Sequence, residues 1–131
     1  MSSNNPVPDS LKSKPFVRVK IEKGESPKKE YFFKDTFRIG RVDSCAVMIV
    51  DGLVSRDHLE VSYKNGEWWI ADLFSSNGTY LEDKKINHLV LKNPTKLVLG
   101  KNGPIISLDL ISESESGHTK LSKVEGSLTS Y

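Results

Sequence analysis

Length, composition and charge narrow the classes of protein that this sequence can encode. The chain has 131 residues, enough for one domain with a single buried core. Hydrophobic residues make up 37% and charged residues 27%, which is typical of a small soluble globule rather than a disordered chain. The formal net charge of +2 is too close to neutral to indicate a nucleic-acid or membrane partner, so we expect neither.

The cysteine and histidine content gives no sign of a metal or redox centre. Cys45 is the single cysteine, so it cannot form an internal disulfide, and we interpret it as a small packing residue. His58, His88 and His118 show no C-x-x-C or H-x-x-x-H spacing that would place metal ligands together. We therefore expect no metal and no cofactor.

The sequence also lacks membrane and secretion signals. No apolar stretch approaches the roughly 18 residues that a membrane-spanning helix needs. Residues 1–15 are polar and have no apolar centre of the kind found in signal peptides. We therefore expect a soluble intracellular chain, located in the cytoplasm, or in the nucleus if the organism is eukaryotic.

In chain order, the first predicted element is a flexible leader, because residues 1–15 are rich in Ser, Asn, Pro and Lys and poor in apolar side chains. A series of short strands follows. Residues 17–21, 59–63 and 106–110 alternate apolar and polar side chains, which gives a strand one buried and one exposed face. The other predicted strands are 31–33, 37–39, 47–49, 68–71 and 97–99.

Turn residues separate these strands. Asn65-Gly66 lies between two strand patterns and predicts a two-residue hairpin. No segment keeps a 3.6-residue period beyond two turns, so we predict an all-β fold, an antiparallel sandwich or barrel. Residues 112–131 are again polar and hydroxyl-rich, and we predict a flexible tail or a linker to a further region.

Gly40-Arg41 closes one predicted strand. A glycine at this point allows a close backbone approach or a positive φ. The arginine carries a planar fork of donors that suits phosphate oxygens. The alternative is a surface arginine paired with Asp43 or Asp51.

The second cluster, residues 54–58, reads V-S-R-D-H and opens the strand at 59–63. A hydrolase would use Ser55, Asp57 and His58 as nucleophile, orienting acid and base. Three residues so close along an extended chain point to opposite faces and cannot line up in series. No G-x-S-x-G motif surrounds the serine either, so we expect no enzyme and no catalytic residue.

The third cluster, residues 75–79, reads S-S-N-G-T. Asn77-Gly78 favours a turn with positive φ, and the asparagine amide offers both a donor and an acceptor to a peptide backbone. The alternative for this pair is a turn with no binding role.

In this order and spacing, the three clusters resemble the forkhead-associated (FHA) domain, a phosphothreonine-binding β-sandwich. The resemblance covers residues 16–111, which we take as the domain. It implies an antiparallel sandwich of about 10–11 short strands, with the binding loops at one end.

The resemblance also implies a role for individual residues. Arg41 and the two serines would bind the phosphate, Arg56 would add a second cation at its rim, and Asn77 would bind the ligand main chain. The implied phosphopeptide-binding residues are thus Arg41, Ser55, Arg56, Ser76 and Asn77. The residues implied to support the binding loops without touching the ligand are Gly40, His58, Gly78 and Thr79.

Two positions depart from the pattern of the family. Ala46 stands where the family often has Asp, and Glu82-Asp83 stands where a hairpin usually carries Asn-Gly. Neither falls on an implied phosphate ligand, so these departures bear on loop geometry and on the preference for ligand side chains.

The implied function is that of a module that binds phosphothreonine in partner proteins and acts as an adaptor in Ser/Thr kinase signalling. Its partners would be a phosphothreonine-containing protein or peptide and an upstream Ser/Thr kinase. The phosphorylated tail of the same chain is a further candidate ligand, through Thr119 or Thr129. The alternative is a scaffold of the same fold that binds proteins without phosphate.

Overall fold

The computed structural model describes residues 14–112, which contain eleven β-strands and no helix. It follows that no helix in this part of the chain could cross a membrane. The strands are β1 Phe16–Lys23, β2 Glu30–Phe33, β3 Phe37–Gly40, β4 Val47–Met48, β5 Leu59–Lys64, β6 Glu67–Asp72, β7 Thr79–Leu81, β8 Lys84–Ile86, β9 His88–Val90, β10 Thr95–Leu99 and β11 Ile105–Ile111.

The strands form the two sheets of a sandwich, which confirms the predicted fold class. One sheet has six strands in the order β2-β1-β11-β10-β7-β8, and the other has five in the order β4-β3-β5-β6-β9. All pairs are antiparallel except β3 and β4, which run parallel, with Ile39 opposite Val47. That pair is the one parallel exception in the described part of an otherwise antiparallel sandwich.

The alternating sequence pattern produces the core between the sheets. Val17 and Val19 of β1 face the same interior as Leu108 of β11, while Val61 and Trp68 approach it from the second sheet. Each of these side chains is almost fully buried, and burial of one such side chain contributes roughly 1.5–3 kcal/mol to folding.

All of the predicted strands are present, with small changes at their ends. The strand predicted at 47–49 is shorter, Val47–Met48. Three strands of three residues each, β7, β8 and β9, lie where the alternation pattern predicts none, although the family resemblance implies the hairpin at Glu82-Asp83. Three residues are too few to show a period, so nothing in the sequence pattern marks them.

Two tight turns connect hairpins in this fold. The predicted turn at Asn65-Gly66 joins β5 to β6, with φ values of 53° and 82° at its two central residues. Glu82 and Asp83 join β7 to β8 with φ values of 50° and 68°. Two consecutive positive φ values are the signature of a type I′ turn, so the chain forms the second turn without the residues that usually occupy it.

Four connections gather at one end of the sandwich. The N–H of Arg41, after β3, donates to the carbonyl of Ser55, in the β4–β5 connection (3.0 Å). The N–H of Ser76, in the β6–β7 connection, donates to Ser55 Oγ (3.0 Å). The N–H of Gly100, after β10, donates to the carbonyl of Gly78 (2.8 Å). We call this end, formed by residues 41–46, 49–58, 73–78 and 100–104, the loop pole.

The chain enters and leaves the fold at the opposite pole. β11 starts with Ile105 next to the loop pole and ends with Ile111, which pairs with Phe16 at the start of β1. Of the predicted tails, only Lys14, Pro15 and Ser112 are described. Pro15 contacts the fold, because its carbonyl accepts a hydrogen bond from Trp68 Nε1 (3.1 Å).

Candidate functional site

Arg41 is anchored at the loop pole by its own backbone and by one side-chain nitrogen. Its N–H lies 3.0 Å from the carbonyl of Ser55 and 3.1 Å from that of Arg56, and its Nε donates to the carbonyl of Val54 (2.9 Å). No ion pair among residues 14–112 includes Arg41, so the alternative pairing with Asp43 or Asp51 is absent from the described fold. The terminal guanidinium nitrogens are thus available to a ligand.

Gly40 is required by the close approach of the neighbouring backbone. A Cβ atom at this position would lie 2.0 Å from the carbonyl oxygen of Arg56 and 2.8 Å from Cys45 Sγ. No side chain fits there without moving the segment that precedes β5. The predicted close approach at this glycine is therefore observed.

His58 is buried beneath the loop pole and links two of its connections. The N–H of Ser55 donates to His58 Nδ1 (3.0 Å), so the proton of the neutral imidazole resides on Nε2. Nε2 donates to the carbonyl of Gly78 (3.0 Å) and lies 3.1 Å from Thr79 Oγ1. Burial lowers the pKa of His58 and outweighs the raising effects of the Gly78 carbonyl and of Asp72, which keeps the ring neutral.

Asp72, which was not predicted from the sequence, organises the β6–β7 connection. Its Oδ1 accepts hydrogen bonds from Ser75 Oγ (2.5 Å) and Thr79 Oγ1 (2.7 Å), and its Oδ2 accepts one from the N–H of Ser75 (3.0 Å). Burial raises the pKa of Asp72, but the hydrogen bonds from Ser75 and Thr79 outweigh that effect and leave the pKa below its ordinary value. Asp side chains commonly accept hydrogen bonds from nearby backbone N–H groups in turns, but this general tendency does not single out Asp72 in the sequence.

Ser76 and Asn77 lie at the exposed tip of this connection. The N–H of Ser76 donates to Ser55 Oγ, which leaves the hydroxyl proton of Ser55 for another acceptor. Asn77 Nδ2 donates to the carbonyl of Leu53 (3.1 Å), and this bond ties the β6–β7 connection to the β4–β5 connection. Gly78 follows with a φ of 84°, as the Asn-Gly pattern predicts.

The predicted site residues surround one open groove. The groove has a volume of about 450 Å³, and the five predicted phosphopeptide-binding residues all line it. Its remaining lining residues are Gly52, Val54, Asp57, Leu73 and Phe74. Two arginines face a single carboxylate, Asp57, which itself lies 3.7 Å from Arg38 outside the groove. The groove therefore has more positive than negative charge, and its side chains offer more hydrogen-bond donors than acceptors.

Cys45 lies beneath the groove and has the surroundings of a packing residue. Its Sγ donates to the carbonyl of Arg56 (3.3 Å) and approaches Asp57 Oδ1 (3.5 Å). Burial, followed by the hydrogen bond to Asp57, raises the pKa of the thiol to about 11. No group of His, Cys, Asp and Glu in residues 14–112 is placed to hold a metal ion.

Fold and site together define a two-sheet β-sandwich with a donor-lined groove at its loop pole. Comparison with known proteins identifies this class. Residues 37–100 match the family model of the FHA domain. FhaB of Mycobacterium tuberculosis, an FHA domain-containing protein, is 38% identical over 52 residues, which are 40% of this chain and 34% of FhaB. The chain thus spans about a third of that relative's length.

Solved structures agree with this assignment. The FHA-1 domain of Mycobacterium tuberculosis Rv1747 superposes with a TM-score of 0.68 at 24% identity, covering 75% of this chain and 98% of that one. A structure from an analysis of phosphothreonine-dependent FHA domain interactions gives 0.63 at 25% identity, covering 72% and 95%. Residues 37–100 therefore belong to the FHA domain family, and the sandwich around them has the FHA fold.

Proposed function

We propose that this chain is a phosphopeptide-binding adaptor module that recognises phosphothreonine in a partner protein modified by an upstream Ser/Thr kinase. One observation carries the proposal: the five predicted contact residues, brought from three separate connections, line the same groove. The analysis of phosphothreonine-dependent FHA interactions, on a domain 25% identical to this one, supports the same ligand class.

The chemistry of the groove suits a phosphate monoester. A phosphothreonine carries a charge of about −1.5 to −2 at neutral pH and three strong acceptor oxygens. Arg41 and Arg56 supply cations, and the hydroxyls of Ser55 and Ser76 supply neutral donors. Asn77 lies beside them and would bind the main chain of the peptide through its amide.

A preference for threonine over serine would come from the apolar part of the lining. Leu73 lies in the same groove as the donors and is partly exposed, so it would contact the γ-methyl group of the phosphothreonine. Burial of one methyl group contributes about 1 kcal/mol, or roughly a fivefold difference in affinity.

The test is a calorimetric titration of one peptide, selected from an oriented phosphopeptide library, in three forms. We expect the phosphothreonine form to bind most tightly, the phosphoserine form several-fold more weakly, and the unmodified form not measurably. Equal binding of the phosphothreonine and unmodified forms would contradict the proposal and favour the phosphate-independent scaffold.

A further inference from the structure

Two features of Phe74 are unfavourable for the stability of the isolated domain. Its side chain is fully exposed, and its backbone has a φ of 55°. A bulky residue with positive φ suffers a steric clash that glycine avoids, and an exposed aromatic ring forgoes the free energy of burial. Such outliers persist only where the surrounding structure enforces them, and they concentrate at functional sites.

Hydrogen bonds on both sides of Phe74 enforce this conformation. The N–H of Leu73 donates to the carbonyl of His58 (2.9 Å), and the N–H of Ser75 donates to Asp72 Oδ2 (3.0 Å). The residue between them has little freedom to turn its side chain towards the core. The ring is instead held at the groove, where Phe74 lines the same space as Arg41.

The exposed apolar side chains of the fold concentrate at this pole. Four large apolar residues are exposed among residues 14–112, namely Phe32, Val50, Leu53 and Phe74. Three of them, Val50, Leu53 and Phe74, lie in the connections that form the loop pole, and Phe74 alone among the four lines the groove. A peptide bound in the groove would cover the apolar side chain of Phe74, which lies beside the proposed phosphate-binding donors.

We propose that Phe74 determines peptide specificity by packing against an apolar side chain that flanks the phosphothreonine. This inference rests on the proposed phosphopeptide function and adds the chemistry of a second ligand side chain. Contact with an aromatic ring is worth roughly a 3- to 10-fold gain in affinity for a Leu-sized side chain.

The experiment uses phosphothreonine peptides with Ser at every flanking position and a single Leu moved from position to position. We expect the native chain to bind the peptide with Leu at one flanking position about 3- to 10-fold more tightly than the all-Ser peptide. Phe74→Gly should reduce that preference below twofold. Because glycine adopts a positive φ without strain, this variant should melt no lower than the native chain.

A matched control is Phe32→Ser, which removes the other exposed phenylalanine, 55% exposed on β2 and away from the groove. This variant should keep the preference for Leu. Binding of the all-Ser phosphopeptide without a gain from Leu at any position, or retention of the preference in Phe74→Gly, would overturn the inference and leave the proposed function intact. Failure of every phosphopeptide to bind would overturn both.

Discussion

Arg41 has the surroundings of a ligand-binding arginine rather than of a structural one. One nitrogen holds the side chain in place through Val54, and the terminal nitrogens face the groove without an ion-pair partner in residues 14–112. Part of the conformational entropy that the Arg41 side chain loses on binding is therefore already lost in the unbound protein.

We predict that Arg41→Ala weakens binding of a phosphothreonine peptide by about 2–4 kcal/mol, because it would remove the charge-assisted contact that we propose between Arg41 and the phosphate. Isothermal titration would measure the affinity, and the melting temperature would report whether the fold is intact. Lys20→Ala, at an exposed cation on β1, serves as the control and should bind normally. Binding of Arg41→Ala within twofold of the native affinity would refute the assigned role.

His58 makes the stability of the loop pole depend on pH. Nδ1 accepts a hydrogen bond from the N–H of Ser55, so protonation of the ring would place two N–H groups against each other. Burial lowers the pKa of His58 in the folded chain, whereas the unfolded chain takes up a proton near the ordinary value of about 6.5. Stability is thus fully present above about pH 6.5 and falls as the pH drops towards the folded pKa.

We predict that the melting temperature of the native chain decreases between pH 7 and pH 5, and that His58→Ala melts at a lower temperature at pH 7 with a weaker dependence on pH. Calorimetry at a series of pH values would measure both. The pKa of Asp72 is also lowered in the folded chain. Protonation of Asp72 therefore destabilises the fold further as the pH falls below about 4. If the melting temperature of His58→Ala depended on pH as strongly as that of the native chain, His58 would not be the titrating group.

The resemblance of the three sequence clusters to the FHA pattern predicts which residues line the groove. Local preference alone supports only the close backbone approach at Gly40 and the positive φ at Gly78. It does not reveal Asp72, whose three hydrogen bonds form only when the β6–β7 connection closes on itself. It does not reveal Phe74 either, since its positive φ follows from bonds to His58 and Asp72 rather than from its own preference.

Among the elements, the two type I′ turns offer a natural comparison. Asn65-Gly66 has the residues that this turn prefers, whereas Glu82-Asp83 adopts the same conformation at a steric cost. An L-residue in this conformation costs roughly 1–2 kcal/mol relative to glycine.

We predict that Glu82→Asn combined with Asp83→Gly stabilises the fold by about 1–2 kcal/mol and raises the melting temperature by roughly 4–16 °C for a domain of this size. The converse exchange, Asn65→Glu with Gly66→Asp, should lower it, and thermal unfolding of both double variants would test the pair. Since neither turn lines the groove, phosphopeptide affinity should stay within twofold. A fall in melting temperature for the first pair would contradict the proposed strain.

Some strands can be predicted from their own residues, whereas others form only because of strands that are distant in the sequence. β1, β5 and β11 are long enough for alternation to mark them, and they appear where the pattern predicts. β7, β8 and β9 exist because neighbouring strands offer backbone partners, such as Val98 for Tyr80. The parallel pairing of β3 with β4 depends on the path of the chain between them, which no local pattern encodes.

At the scale of the whole molecule, the segment that matches the family model is shorter than the sandwich that must fold together. Residues 37–100 omit β1 and β11, which lie in the middle of the six-stranded sheet and contribute Val17, Val19, Ile106 and Leu108 to the core.

We predict that a fragment of residues 37–100 is unfolded, whereas residues 14–112 fold with a melting temperature within a few degrees of that of the full chain. Circular dichroism and the dispersion of amide NMR signals would distinguish the two outcomes. Cooperative unfolding of the shorter fragment would show that the predicted domain boundaries, 16 and 111, are too wide.

The positions of the chain ends bear on the predicted binding of the tail. β11 spans six residue steps from Ile105 to Ile111, so Ile111 lies about 20 Å from the edge of the loop pole, before the width of the connections is added. Thr119 and Thr129 lie outside the described residues. A fully extended chain from Ser112 reaches roughly 25 Å at Thr119 and roughly 60 Å at Thr129. Thr129 is therefore the better candidate for binding within one molecule.

We predict that phosphorylation of Thr129 shifts the amide NMR signals of Ser55 and Asn77 independently of protein concentration, because a tethered ligand has an effective concentration near millimolar. Phosphorylation of Thr119 should shift them only as the concentration rises and two chains meet. If neither modification moves these signals, the ligand comes from another protein.

The pairing of the first strand with the last also determines when this domain can fold during its synthesis. β1 leaves the ribosome early, but its partner β11 is made much later, as the pair Phe16 and Ile111 shows, whose members are 95 residues apart in the sequence. Until then the six-stranded sheet lacks the strand that joins β1 to β10, and the core side chains of β1 lack their partners on β11. Contacts between segments so far apart in the sequence slow folding. We therefore expect that the chain has no stable native state while it is being synthesised, and that the sandwich forms in one late step after β11 has been made.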